Sequence, residues 1–214
     1  MFVNNVDSNT YFVSNFVTAY HFFLQECLPV INHTLASIES VSPNDSGVII
    51  IDLCSGFGYL SMILSDILPA DKVKKIVLID KMFPFLPNDH SDPSMLCDKR
   101  HINWTHIVGR RWKQLWPIPL ECSKQDIKKG SALSFIGRVY LQHAPVFVLA
   151  VHLCGTLSIR ACDIFNNNPN TVSMIALKPC CLPDILHVKR DEIFTSGGHS
   201  FSAREVFFTM PIPH

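Results

Sequence analysis

Val48-Ile49-Ile50-Ile51-Asp52-Leu53-Cys54-Ser55-Gly56-Phe57-Gly58-Tyr59-Leu60 is the stretch that decides the fold. Its β-branched run, bounded by Gly47, reads as a strand buried on both faces. The run enters a glycine-containing turn, and from Gly58 to Leu68 apolar residues return at the three-and-four spacing of a helix. Pro69-Ala70-Asp71 closes that segment, and Lys75 to Ile79 is a second β-branched run. Strand, turn, helix, strand is the order of a parallel sheet with helical crossovers.

The same signature recurs further on. Pro145 to Val151 and Val172 to Leu177 read as strands, with helical spacing over Leu157 to Phe165 between them. Lys81 to Gln142 is less regular: Ile118 to Cys122 is a strand candidate, Ala132 to Gln142 a helix, and Pro84 to Pro93 a surface loop. Upstream, Val13, Phe16, Val17, Tyr20, Phe23, Leu24, Cys27, Leu28 and Ile31 predict an amphipathic helix over about residues 10–38. The expected organisation is a helical extension over residues 1–45, then one domain over 46–214. Its class is α/β, with a doubly wound, mostly parallel sheet and helices on both faces.

Composition narrows the function classes. With 48% apolar residues and 15 Phe in 214, the chain supports a full core, which excludes disorder and a small disulfide scaffold. Eighteen basic and eighteen acidic residues cancel, so net charge alone drives no nucleic-acid or lipid binding. The longest apolar run, Val146 to Val151, is far short of the ~20 residues of a membrane span. MFVNNVDSNT lacks a basic flank and an apolar core, so no secretory signal is read, and the cytoplasm or nucleus is the expected compartment. A reducing compartment keeps the 8 Cys as thiols.

Two acids flank the glycine turn. Asp52 lies inside the strand before it, and Asp80 ends the next strand about twenty residues further on, where a carboxylate accepts the hydroxyls of a ribose. A dinucleotide site wants a third small residue in Gly-x-Gly-x-x-Gly or Ala, and Ser61 stands there; a nicotinamide-dependent oxidoreductase is therefore a minor reading. Asp52 would repel a pyrophosphate but attract a cationic group such as the ammonium of S-adenosylmethionine. This segment resembles the first motif of class I S-adenosylmethionine-dependent methyltransferases, with Cys54 where that family often has its first Gly. The resemblance implies a Rossmann-like fold with Asp52, Cys54, Ser55, Gly56 and Gly58 around the methionine end. It puts Asp80 and adjoining Lys81 at the ribose, and Asp126 with Ile127 at the adenine.

Strand four ends in Val151-His152-Leu153-Cys154-Gly155-Thr156 and strand five in Leu177-Lys178-Pro179-Cys180-Cys181. These segments resemble a methyltransferase subgroup that includes the tRNA acceptor-stem ribose 2′-O-methyltransferase and related methyltransferase-like proteins. The likeness covers about residues 47–185. It implies that His152, Cys180 and Cys181 face the acceptor, with His152 as general base or orienting group and also at the cofactor. Zinc on His152, Cys154, Cys180 and Cys181 is a competing reading. Their spacing departs from the roughly two to four residues usual between structural ligands, so no metal is expected.

Lys99, Arg100, Arg110, Arg111 and Lys113 cluster with Trp104, Trp112 and Trp116. Cations for phosphates with aromatic faces for bases suit single-stranded or looped RNA, so Arg100, Arg110, Arg111 and Trp112 are candidate substrate contacts. The alternative is a solvated basic segment whose Trp side chains cap the core. After strand five, Arg204 to Met210 is one further strand candidate, ended by Pro211 and Pro213, whereas the class I sheet finishes with a sixth strand and an antiparallel seventh. The C-terminal strands therefore read as incomplete, which is expected either of a shortened version of the fold or of a sheet edge covered by a protein partner. The favoured function is methyl transfer to RNA, tRNA included, with a small-molecule acceptor next. The alternative is a non-catalytic binding module of the same fold.

Overall fold

A computed structural model describes residues 26–41, 47–83, 116–142, 145–153, 155–179, 193–196 and 198–202. Residues 26–39 are helical and form α1. Then follow β1 (Val48–Leu53), α2 (Tyr59–Ile67), β2 (Val73–Asp80), β3 (Leu120–Lys124), α3 (Gly130–Val139), β4 (Val146–Val151), α4 (Thr156–Asn166) and β5 (Val172–Lys178). The last described elements are β6 (Ile193–Ser196) and β7 (His199–Ser202).

Five strands form one parallel sheet, as the sequence predicts, and they lie in the order β3-β2-β1-β4-β5. The order reverses beside β1, so the crevice at its carboxyl end, between β1 and β4, is where doubly wound sheets take ligands. Among the described residues β6 and β7 pair only with each other, as an antiparallel hairpin the sequence reading did not foresee.

The strand pleat sorts side chains into two apolar layers. Val48 and Ile50 of β1 pack with Cys27, Val30, Ile31 and Ile38 of α1 and Leu60 and Leu64 of α2. Ile49, Ile51 and Leu53 pack on the other face with Ile136 of α3 and Ala161 and Ile164 of α4. Helices thus cover both faces, and α1 belongs to the first layer.

Two boundaries differ from expectation. The third strand runs Leu120–Lys124, not Ile118 to Cys122, because the Ser65 hydroxyl occupies the backbone of Ile118. Ser65 Oγ accepts from Ile118 N–H at 3.1 Å and donates to its carbonyl at 2.8 Å, which ties α2 to the approach to β3. The helix expected over Ala132 to Gln142 spans Gly130–Val139, and the Gln142 amide closes its end by donating to the Gly137 carbonyl at 2.8 Å. The upstream part of the residue 10–38 helix, the Pro84–Pro93 loop and the Arg204–Met210 strand lie outside the described residues. Among those described, no helix is long and apolar enough to cross a membrane.

Candidate functional site

Alternation along β1 puts Asp52 on the same face as Val48 and Ile50, toward α1 and α2. Its carboxylate is 2% exposed and accepts a 2.7 Å hydrogen bond from Ser61 Oγ of α2. Burial pushes its pKa up to about 7; the Ser61 hydroxyl opposes that rise and the Asp80 charge adds to it. No cationic side chain among the described residues counters it.

Beyond Leu53 the chain turns through three residues of positive φ: Cys54 at 55°, Gly56 at 55° and Gly58 at 77°. Cys54 is a non-glycine in the left-handed region, so it holds the conformation that a glycine would adopt without strain. Ser55 N–H donates to the Ile79 carbonyl at 3.2 Å, and Gly58 N–H donates to the Ser55 carbonyl at 2.9 Å. Asp80, at the end of β2, fixes the turn from the other side. Its Oδ2 accepts from Gly56 N–H at 3.1 Å and its Oδ1 from Met82 N–H at 2.7 Å. Each oxygen keeps a second lone pair for another donor.

Asp52, Cys54, Ser55, Gly56, Val151 and His152 line a cavity of about 300 Å³, together with Cys27, Phe57, Tyr59 and Leu60. Within its wall the Ser55 hydroxyl oxygen is buried and has no hydrogen-bond partner among the described residues. A Cβ added at Gly56 would meet nothing within 4 Å, so that position faces open space. A second cavity of about 580 Å³ lies at the ends of β2 and β3, lined by Lys81, Met82, Lys124, Gln125, Asp126 and Lys129. Asp80 joins the two, because one of its oxygens holds Gly56 of the first and the other holds Met82 of the second. Asp126 Oδ1 accepts from Lys128 N–H at 3.1 Å. The Ile127 side chain is 2% exposed and taken up by the α3/α4 layer.

His152 follows β4 with φ 58°, and its N–H donates to the Lys178 carbonyl at 2.9 Å. The ladder is thereby carried one residue past the strand, and the exposed imidazole sits at the rim of the first cavity. Three residues with no role in the sequence reading join this site. Cys27 of α1 is fully buried and lines the cavity. Lys178, at the end of β5, forms an ion pair with Glu26 and donates to the Glu26 carbonyl at 3.0 Å. Lys178 breaks an apolar run at its end just as Asp52 and Asp80 do, a signal legible in the sequence; Glu26 and Cys27 carry no comparable signal. Burial pushes the Cys27 and Cys54 thiols up to about 12, so both stay protonated and neither serves as a nucleophile at neutral pH.

Cys154, Cys180, Cys181, Arg100, Arg110, Arg111 and Trp112 lie outside the described residues. Among those described, no group of three or more His, Cys, Asp or Glu is placed to hold a metal ion. The crevice thus offers a buried acid, a glycine turn stapled by a second acid, and an unpartnered hydroxyl. Such a set suits a ligand with a cationic end and a vicinal diol. A family model described as a methyltransferase domain matches residues 25–187, a span that contains all of these groups. No curated protein matches the chain.

Proposed function

This chain belongs to that methyltransferase-domain family, and from that premise we propose that it methylates RNA using S-adenosylmethionine. The observation that carries the cofactor reading is Asp52, a buried carboxylate in the cavity wall with no cationic partner among the described residues. Burying such a charge is costly, and a cationic ligand offsets that cost.

The residues present fit this cofactor. Ser55 Oγ has a hydrogen bond still to make, and Asp80 has lone pairs left for both ribose hydroxyls. The first N–H groups of α2 have no intrahelical acceptors and suit the amino-acid carboxylate. Lys81 and Asp126, on the second cavity, are assigned to the ribose and adenine side, with Asp126 accepting from the exocyclic amine. Cys54 and Gly58 hold the turn in shape. When bound, the sulfonium supplies an electrophilic methyl group and leaves as a neutral thioether.

Asp52 titrates near 7 in the free protein and gives up its proton as the cation arrives, so affinity rises with pH up to that value. His152, at the rim, orients the acceptor and takes its proton. Cys180 and Cys181 are assigned to the acceptor side, and Arg100, Arg110, Arg111 and Trp112 to RNA. The sequence pattern alone supports these last assignments.

Calorimetry with S-adenosylmethionine, followed by transfer of labelled methyl groups into total RNA and into a metabolite pool, tests the reading. Wild type should bind and label RNA, and Asp80→Ala should lose at least ~30-fold in affinity together with the labelling. Absence of binding sinks the cofactor reading. Label in the metabolite fraction alone moves the acceptor to a small molecule, and binding with no transfer to either leaves a non-catalytic module.

A further inference from the structure

We propose that the Glu26–Lys178 ion pair balances the charge of the methyl-donor site and sets its preference between the cationic donor and the neutral thioether product. This rests on the S-adenosylmethionine reading above. The pleat of β5 turns Met174 and Ala176 toward the α1/α2 layer, and Lys178 follows on the same face. Its ammonium meets both the carboxylate and the backbone carbonyl of Glu26. That double contact seats the Glu26–Cys27 end of α1 on the sheet, and Cys27 forms part of the donor cavity's wall.

Each member of the pair adjoins the cavity wall: Glu26 precedes Cys27, and the Lys178 carbonyl accepts from the N–H of His152 at 2.9 Å. The Cys27 thiol feels Asp52, Lys178 and Glu26, while Glu26 feels Lys178 and His152. A cation at the end of β5 would oppose a sulfonium; Glu26 cancels it, leaving Asp52 to act on the ligand. The two side chains are 33% and 30% exposed, so solvent screens the pair and its influence is moderate.

The donor and its thioether product differ at this end by one positive charge, so their affinity ratio reads the local field. Glu26→Gln keeps an acceptor for Lys178 but bares its ammonium, and should shift the ratio about fivefold toward the thioether. Lys178→Gln keeps a donor for Glu26 but bares its carboxylate, and should shift the ratio a similar amount toward the sulfonium. The double variant should return near the wild-type ratio, and 0.5 M salt should shrink both shifts. Calorimetry with S-adenosylmethionine and S-adenosylhomocysteine measures all of this without any methyl acceptor.

A purely structural clamp predicts that both ligands weaken together, and an unchanged ratio in both single variants overturns the proposal while leaving the cofactor reading intact. If wild type binds neither ligand, both fall. Should a single variant fail to fold, the exchange Glu26→Lys with Lys178→Glu restores the pair; its ratio should stay within about twofold of wild type, and a larger shift overturns the proposal.

Discussion

The two faces of the sheet are built from the same strands and differ in what happens at the strand ends. Toward α3 and α4 the rows of β1 and β2 stay apolar to the last residue, Leu53 and Ile79, and Leu153 just past β4 is buried in the same layer. Toward α1 and α2 the apolar rows of three strands end in a charge: Val48, Ile50, Asp52 in β1; Ile76, Leu78, Asp80 in β2; Met174, Ala176, Lys178 in β5; only β4 among the central strands, with Phe147, Leu149 and Val151, stays apolar to its end. One layer is scaffold throughout, whereas the other changes from scaffold to chemistry within a single pleat. Stability and ligand binding should therefore separate by face.

The largest effect is expected on the scaffold face. Ile51→Ala removes a fully buried side chain from the α3/α4 layer and should cost about 3–4 kcal/mol in denaturant unfolding. The affinity of the remaining folded protein for S-adenosylmethionine should change less than about threefold, because the cavity lies on the opposite face. A large affinity loss would show that the faces are not independent.

Asp52→Asn should do the reverse. The folded state holds the Asp52 proton up to about pH 7, while the unfolded chain releases it near the ordinary aspartate value of 3.8. The stability this proton contributes is full below about pH 4 and is lost as pH rises through about 7. Asparagine escapes that loss, so the ligand-free variant should be more stable than wild type at pH 8 by roughly 2–3 kcal/mol, and about equal at pH 4. Affinity for the sulfonium should fall at least ~10-fold. Melting curves at the two pH values, with calorimetry, check both signs.

Within the turn the effects shrink. Gly56→Ala forces a Cβ into the left-handed region and should cost about 1–2 kcal/mol, although the space around it is open. Ser55→Ala should be the mildest. Its hydroxyl has no partner to lose among the described residues, so chemical denaturation should shift by less than ~0.5 kcal/mol while ligand affinity drops about threefold. A destabilised Ser55→Ala protein would mean that the hydroxyl serves the fold.

Most of this contrast was legible in the sequence. β1, β2 and β4 announce themselves as β-branched or wholly apolar runs because their neighbours bury them on both faces, and β5, at the other edge, keeps enough apolar residues to be read although only one of its faces is well buried. β3, at the sheet edge, is half-buried and carries Glu121 and Lys124, so its pattern is weak and the bounds it predicts lie two residues too early. The acids of the glycine turn stood out because a charge ending an apolar run demands a reason. Glu26 and Cys27 sit on a helix whose spacing is satisfied by the core, and only the fold brings them to the cavity, more than a hundred residues from Lys178 along the chain. The αL backbone of Cys54 was foreseeable from its alignment with a family glycine; that of His152 was not.

The period-two pleat also constrains how this protein is able to diverge. One residue gained or lost upstream of Asp52 within β1 would rotate the acid into the hydrophobic layer under α3 and α4, and carry Leu53 or Ile51 into the ligand's place. The pleat thus leaves loop length open but ties the placing of the acid to the number of residues in the strand before the glycine turn.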